Sequence, residues 1–113
     1  MSAVTINCLW FGLVGLMFMG ISIPLIRGKV APNHFYGFRT AKSLSDPRIW
    51  YEINRISGGD LLLAGQLITG SALAMSLFGQ RLTEQEVAMT LFAVMVLSLV
   101  GVAVHGLMLL RRM

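Results

Sequence analysis

The sequence predicts an all-α integral membrane protein with three transmembrane helices and a short amphipathic interfacial helix in a long connecting loop. Of the 113 residues, 56% are hydrophobic and only 12% are charged, whereas soluble domains typically carry about 25% charge. Three stretches contain no Lys, Arg, Asp or Glu. These gaps between charges are 26, 20 and 24 residues long, at 1–26, 61–80 and 87–110. About 20 apolar residues cross the hydrocarbon of a bilayer, so each gap is long enough.

The three helices are expected at about residues 4–26, 61–80 and 87–110, within one membrane domain over residues 1–113. Their apolar residues run all round each helix, which is typical of a helix surrounded by lipid. Pro24 is expected to bend or end the first helix. The link 81–86 makes the last two helices a hairpin, and the spacing of Thr83 and Glu86 predicts a capping box.

Small residues within these spans predict where helices touch, because close backbone approach drives helix association in lipid. The candidates are Gly12, Gly15 and Gly20 in the first helix, Gly65, Gly70, Ser71 and Ala74 in the second, and Thr90, Ser98 and Gly101 in the third.

The orientation follows from the distribution of cations between the connecting segments. Six Lys or Arg residues lie in the loop 27–60 and two more at Arg111 and Arg112, whereas the link 81–86 holds only Arg81. The positive-inside rule therefore places the loop and the C-terminus in the cytoplasm and the N-terminus outside. This topology accounts for the net charge of +4, so no nucleic-acid partner is expected.

The loop 27–60 divides into two parts. Turn-forming residues at Gly28, Pro32-Asn33 and Gly37 predict a compact, nonhelical first part, whose aromatic residues suit the headgroup boundary. In the second part, Asp46 can cap a helix that has Pro47 at its first position.

That short helix is expected over about residues 47–57, ending at Gly58-Gly59, after which Asp60 caps the second membrane helix. Its apolar face holds Ile49, Trp50, Ile53 and Ile56, whereas Arg48, Glu52 and Arg55 lie opposite and can form ion pairs. Such a helix fits the interface plane with Trp50 at headgroup depth. The alternative is that Trp50 turns inward and closes the cytoplasmic mouth of the bundle.

His105 is the one histidine within the predicted spans. An ionisable side chain inside a membrane is a candidate for function. His105 lies about a turn and a half before Arg111, near the cytoplasmic interface, so a structural hydrogen bond is the alternative role. His34 is expected on the same side, and two histidines without acidic or Cys ligands nearby do not predict a metal site. No cofactor is expected.

The loop resembles the signature of the SdpI family, the Sdp immunity protein family of bacterial integral membrane proteins. The matching elements are Pro32-Asn33, Gly37-Phe38-Arg39-Thr40, Leu44-Ser45, Trp50-Tyr51, Asn54-Arg55 and Gly58-Gly59. The flanking helices fit a short, three-helix form of the family. Two positions depart from the pattern, since Ala41 replaces a frequent Pro and Ser43 a frequent Thr.

This resemblance implies a multi-pass protein of the bacterial cytoplasmic (inner) membrane that is noncatalytic and confers immunity to a membrane-active peptide toxin. It also implies signal relay to a cytoplasmic repressor. The partners are then membrane lipids, the peptide toxin and a cytoplasmic regulator, and homo-oligomerisation stays open. The candidate binding residues are Pro32, Asn33, Gly37, Arg39, Thr40, Trp50, Asn54, Arg55, Gly58 and His105.

Arg39 would be the main polar anchor, because a guanidinium holds a carboxylate or a lipid phosphate with two hydrogen bonds. Two other classes of function stay open. In a membrane enzyme that acts on a lipid or envelope precursor, Arg39 would bind phosphate, and the acid or base would be one of Asp46, Glu52, His34 and His105. In a small oligomeric transport subunit, several copies would enclose the path.

Overall fold

The structure, a computed structural model, describes residues 2–113, the side chain of Gln80 excepted. It contains helices α1 (Ala3–Ile26), α2 (Ala41–Ser45), α3 (Pro47–Phe78) and α4 (Glu84–Leu110), with a 3-10 turn at Gly79–Arg81 and no strand in residues 2–113. Helices α1, α3 and α4 are each long and apolar enough to cross a membrane. The all-α class with three membrane-spanning helices is thereby confirmed.

The ends of the helices follow the capping residues in the sequence. At the start of α4, Glu86 N donates to Thr83 Oγ1 (3.1 Å) and Thr83 N donates to Glu86 Oε1 (3.2 Å), so the predicted capping box is confirmed. Asp46 caps α3 as predicted, because its Oδ1 accepts from Arg48 N at 2.9 Å. Helix α1 passes Pro24 and ends two residues later, at Ile26.

The prediction of a separate short helix that ends at Ser57 is wrong. Helix α3 runs without a break through Gly58 and Gly59 to Phe78, over 32 residues, or about 48 Å. Gly58 lies against the end of α1: a Cβ added there would lie 3.0 Å from Ile26 Cγ1 and 3.1 Å from Leu25 Cβ. This glycine therefore permits helix contact instead of a bend, and residues 47–57 are the first three turns of a long helix.

A second close contact between α1 and α3 lies in the middle of both helices. A Cβ added at Gly65 would be 2.6 Å from Gly15 O, and one added at Gly15 would be 2.8 Å from Gly65 O. Thr69 Oγ1 also donates to Gly12 O across this contact, at 3.4 Å. Close backbone approach, which is what small residues permit in lipid, is confirmed at Gly15 and Gly65.

Four other glycines of the spans do not form such contacts. A Cβ added at any of them would meet no atom within 4 Å outside its own helix backbone and chain neighbours. These glycines are Gly12, Gly20, Gly70 and Gly101. At Gly20, Gly70 and Gly101, which are exposed, the prediction of helix contact is wrong. Gly12 does contact α3, through its carbonyl oxygen, which accepts from Thr69.

The two ends of the bundle hold different parts of the chain. At one end, Cys8 of α1 packs with Ala72, Val87 and Leu91, which flank the turn between α3 and α4. At the other end, the Lys42 ammonium donates to Leu110 O, so the long loop lies beside the C-terminus. The loop and the C-terminus therefore lie at the same end of the bundle, as the charge distribution requires.

The outer surface of the helices is apolar. Leu13 and Leu73 are each 60% exposed and Leu97 is 71% exposed, so large aliphatic side chains cover the bundle on the outside. Soluble monomers rarely expose an apolar surface of this extent. This is the surface that lipid chains would contact if the three long helices span a bilayer.

A single methyl group at Gly65 is expected to destabilise the bundle. Gly65→Ala places a Cβ against the Gly15 carbonyl oxygen, and backbone cannot move aside as a side chain can. We expect a loss of about 1–3 kcal/mol in the free energy of unfolding, measured in detergent micelles by denaturant titration. The control is Gly70→Ala on the same helix, where the methyl meets open space and stability should be unchanged or slightly higher. Equal stability of the two variants would contradict the α1–α3 contact.

Candidate binding site

The chain between α1 and α3, residues 27–46, is folded against the first turns of α3, and we call it the loop platform. Two buried side chains of α3 hold its backbone. Trp50, which is 0% exposed, donates from Nε1 to Val30 O at 2.8 Å. Asn54, which is 2% exposed, accepts from Phe38 N on Oδ1 at 2.6 Å and donates from Nδ2 to Trp50 O at 2.9 Å.

The inward position of Trp50 resolves the alternative left by the sequence. Its side chain is buried between α3 and the loop platform, so a lipid-facing Trp50 is wrong and the residue turns inward. The neighbouring Tyr51 is 38% exposed instead. The indole N–H donates to a backbone oxygen of the loop platform, which satisfies the polar group of the buried ring.

Gly37 lets the loop platform approach α3 closely. Its φ of +115° belongs to the region that favours glycine. A Cβ at this position would lie 2.8 Å from Asn54 Oδ1 and 3.0 Å from Trp50 Cη2. Both the backbone angle and the space therefore require glycine here.

Asn33 builds the turn in the first half of the loop platform. Its Oδ1 accepts from Phe35 N at 2.8 Å and from Tyr36 N at 2.7 Å, and its Nδ2 donates to Ala31 O at 2.8 Å. This is the local bonding by which Asn stabilises turns after an exposed Pro32. The sequence-predicted turn at Pro32-Asn33 is confirmed.

Tyr36 ties the loop platform to α1. Its phenol donates a hydrogen bond to Ile21 O. Burial raises the pKa of the Tyr36 phenol, so the group is a neutral donor at physiological pH.

Thr40 and Ser43 form a second capping box that the sequence interpretation missed. Ser43 N donates to Thr40 Oγ1 at 3.1 Å and Thr40 N donates to Ser43 Oγ at 2.7 Å, which starts the five-residue helix α2. The fully buried Ser43 hydroxyl also donates to Phe38 O at 2.9 Å. The spacing of Thr40 and Ser43 was the available signal, although Ser is an unusual residue at the last position of this motif.

The two arginines of the motif, Arg39 and Arg55, are exposed. Within residues 2–113, the ion pairs are Arg48 with Asp46, at 3.6 Å, and His105 with Asp60. The predicted pairing of Glu52 with Arg48 and Arg55 is therefore wrong, since Arg48 turns toward the capping carboxylate. Arg39 stands between two fixed residues, because Phe38 is bonded to Asn54 and Thr40 caps α2.

His105 has a partner that the sequence did not reveal. Its Nδ1 is hydrogen-bonded to the carboxylate of Asp60, which joins α4 to α3. The two side chains are 50% and 30% exposed, at a groove that Ser98 and Gly101 also line. Asp60 was expected to cap a helix, but it lies inside α3 because that helix does not break.

The candidate residues thus fall into two groups. Most of them lie in the loop platform or in the first turns of α3, and His105 lies on α4. The loop platform reaches α4 through Phe38, whose ring contacts Gly106. The group near the loop platform comprises Pro32, Asn33, Gly37, Arg39, Thr40, Trp50, Asn54, Arg55 and Gly58.

Replacing Asn54 should loosen the loop platform and leave the bundle intact. Asn54→Leu keeps the size of the side chain but leaves the Phe38 N–H without its buried acceptor, at a cost of about 1–3 kcal/mol. Hydrogen exchange should show the Phe38 amide exchanging about tenfold faster or more. The control is Gln66→Leu, at an exposed position of the same helix. Unchanged exchange at Phe38 in Asn54→Leu would contradict the assigned bond.

The Asp60–His105 contact should stabilise the association of α3 and α4. In a double-mutant cycle of Asp60→Ala and His105→Ala, measured by unfolding in micelles, we expect a coupling of about 0.5–1 kcal/mol. The control cycle uses Asp46→Ala and Arg48→Ala, because the Arg48 side chain is 92% exposed and such pairs contribute little. A coupling of zero between Asp60 and His105 would refute the contact.

Comparison with known proteins places this site in a family. The SdpI/YfhL protein family matches residues 29–106, which contain most of the loop platform, α2, α3 and most of α4. A relative in Bacillus subtilis (strain 168), named "Uncharacterized protein YfhL", is 42% identical over 67 residues. That match covers 57% of this chain and 60% of the relative. No solved structure matches the chain.

The family match extends over more than half of the chain and includes every candidate binding residue. It coincides with helices that are long and apolar enough to cross a membrane. This chain therefore belongs to the SdpI/YfhL family and is a membrane protein of that family.

Proposed function

We propose that this protein is a noncatalytic binding protein of the bacterial inner membrane that protects the cell against a membrane-active peptide. The immunity role implied by the family resemblance is the starting point. The observation that carries the proposal is the exposed Arg39 on a loop whose backbone is fixed on both sides.

The fixed backbone matters because it lowers the cost of binding. A cation on a mobile loop loses conformational entropy when it captures a ligand, whereas a preorganised one loses less. Arg39 has no ion-pair partner among residues 2–113, so both edges of its guanidinium are available. A planar guanidinium binds a carboxylate or a phosphate with two hydrogen bonds.

The positive-inside rule gives the orientation of this proposal. With the loop platform and the C-terminus in the cytoplasm, Arg39 faces lipid phosphates or a cytoplasmic regulator, to which it would relay the presence of the peptide. The N-terminus and the α3–α4 turn are then outside.

The outer end of the bundle offers a surface for the peptide. A groove of about 250 Å³ lies between α1 and α3, and apolar side chains such as Leu9, Leu13 and Leu73 line it. The hydroxyl residues Thr5 and Ser76 lie along the same groove. An apolar groove with a few hydroxyl groups suits one face of an amphipathic peptide.

A membrane enzyme is the second candidate, and the Asp60–His105 contact favours it. A carboxylate that orients a histidine is the arrangement used by general bases. In that case, protection would be lost in His105→Gln and Asp60→Asn. In the noncatalytic proposal, both variants protect as the parent protein does once their membrane levels are equal.

The role of Arg39 can be tested by a substitution that keeps the positive charge. Arg39→Lys retains the topology signal but removes the planar fork. In a bacterial strain sensitive to membrane-active peptides, we expect the parent protein to raise survival. We expect Arg39→Lys to protect at least about tenfold less, because it loses one charge-assisted hydrogen bond to the ligand. Survival is measured against a panel of such peptides, at matched protein levels in the membrane fraction.

The control variant is Arg112→Lys, an exposed cation at the same end of the bundle. It should protect as well as the parent protein. Equal protection by Arg39→Lys would remove the specific role of the guanidinium. A parent protein that protects against no peptide in the panel would contradict the immunity proposal itself.

A further inference from the structure

A cavity of about 210 Å³ lies where α1, the loop platform, α3 and α4 meet. Its walls are mostly apolar, with Ile21 from α1, Phe38 from the loop platform and Val102 from α4. Asn54 and Ser57 of α3 also line it. The cavity is separate from Arg39 and from the groove between α1 and α3 at the other end of the bundle.

Ser57 is the unusual residue in this wall. It is 5% exposed, and its Oγ is buried without a hydrogen-bond partner in the described part of the chain. A helical serine commonly donates to the carbonyl four residues earlier, and a buried hydroxyl without a partner costs about 1–3 kcal/mol. An acceptor that enters the cavity from elsewhere would satisfy this hydroxyl.

The other polar groups of the cavity are already engaged. Asn54 bonds Phe38 N and Trp50 O, and the Tyr36 phenol donates to Ile21 O. The cavity thus offers one free hydroxyl donor within apolar walls. An occupant that matches has one acceptor oxygen joined to an apolar segment.

The position and size of the cavity identify the occupant further. Ser57 lies about 15 Å along α3 from Pro47, four residues before the charge-free stretch that starts at Leu61, at the boundary between headgroups and hydrocarbon. The volume of about 210 Å³ exceeds the roughly 150 Å³ of an apolar cavity that holds benzene. Helices α1 and α4 make few contacts with each other, so a lipid chain can enter between them.

We infer that this cavity binds the acyl ester of a membrane phospholipid, with the ester carbonyl accepting from Ser57 Oγ and the adjoining methylenes against Ile21, Phe38 and Val102. The bound lipid would pack against the wall formed by Gly37 and Asn54, behind which Trp50 lies. This inference is independent of the proposed protection against peptides, because it concerns the resting protein in any phospholipid bilayer.

The tryptophan content makes the test direct. The chain has two Trp residues, and Trp10 is 65% exposed near the opposite end of the bundle. In a Trp10→Phe background, Trp50 is the one tryptophan left in the chain, so quenching reports on lipid close to the loop end of α3. The protein is reconstituted into phosphatidylcholine vesicles whose acyl chains carry bromine either close to the ester or near the chain end.

Bromine close to the ester should quench Trp50 strongly, and bromine near the chain end should quench it weakly. Ser57→Leu fills the cavity and should reduce the quenching by bromine close to the ester. Val102→Phe, which fills the cavity from α4, should do the same and decides the test if Ser57→Leu does not fold. The control is Gln66→Leu, at an exposed position of α3, in which Trp50 should be quenched as in the parent. Quenching that is unchanged in the filled variants, as expected if the cavity holds water and only lipid outside the bundle reaches Trp50, would overturn the inference, as would equal quenching by both lipids in the parent.

Discussion

Close packing of α1 against α3 is the interaction on which the rest of the structure depends. Glycines provide it at two levels, Gly15 with Gly65 in the middle and Gly58 against Leu25 at the loop end. Because Gly58 packs against α1 and does not form a turn, α3 stays helical and extends beyond the end of α1. Its first turns then carry Trp50 and Asn54 to the backbone of the loop platform.

The second requirement is that the loop platform has its backbone polar groups paired. A buried backbone group that lacks a partner costs free energy. Asn33, Asn54 and Ser43 supply these bonds from side chains, and Gly37 gives the space for them. Most residues of the family motif therefore have an architectural task. Arg39 and Arg55 are the motif residues whose charged groups are exposed and in no ion pair among residues 2–113, and of these two Arg39 lies on the fixed loop backbone.

The sequence predicted what depends on local chemistry. Charge-free stretches predicted the three spans, and local capping residues predicted the starts of α3 at Asp46 and α4 at Thr83. It missed what depends on packing, because Gly58-Gly59 is equally compatible with a bend and with close contact. The Asp60–His105 pair was also missed, since 45 positions separate these residues and helix α3 had first to be continuous through Asp60.

The continuity of α3 through Gly58 and Gly59 can be measured directly as a distance along the helix. Spin labels at Arg48→Cys and Ser76→Cys, in a Cys8→Ala background that removes the single native cysteine, would report it by pulsed electron paramagnetic resonance in vesicles. One straight helix predicts about 42 Å between the labelled backbone positions, at about 1.5 Å per residue. A bend at the glycines into an interfacial helix would give about 30 Å, and that shorter distance would contradict the account.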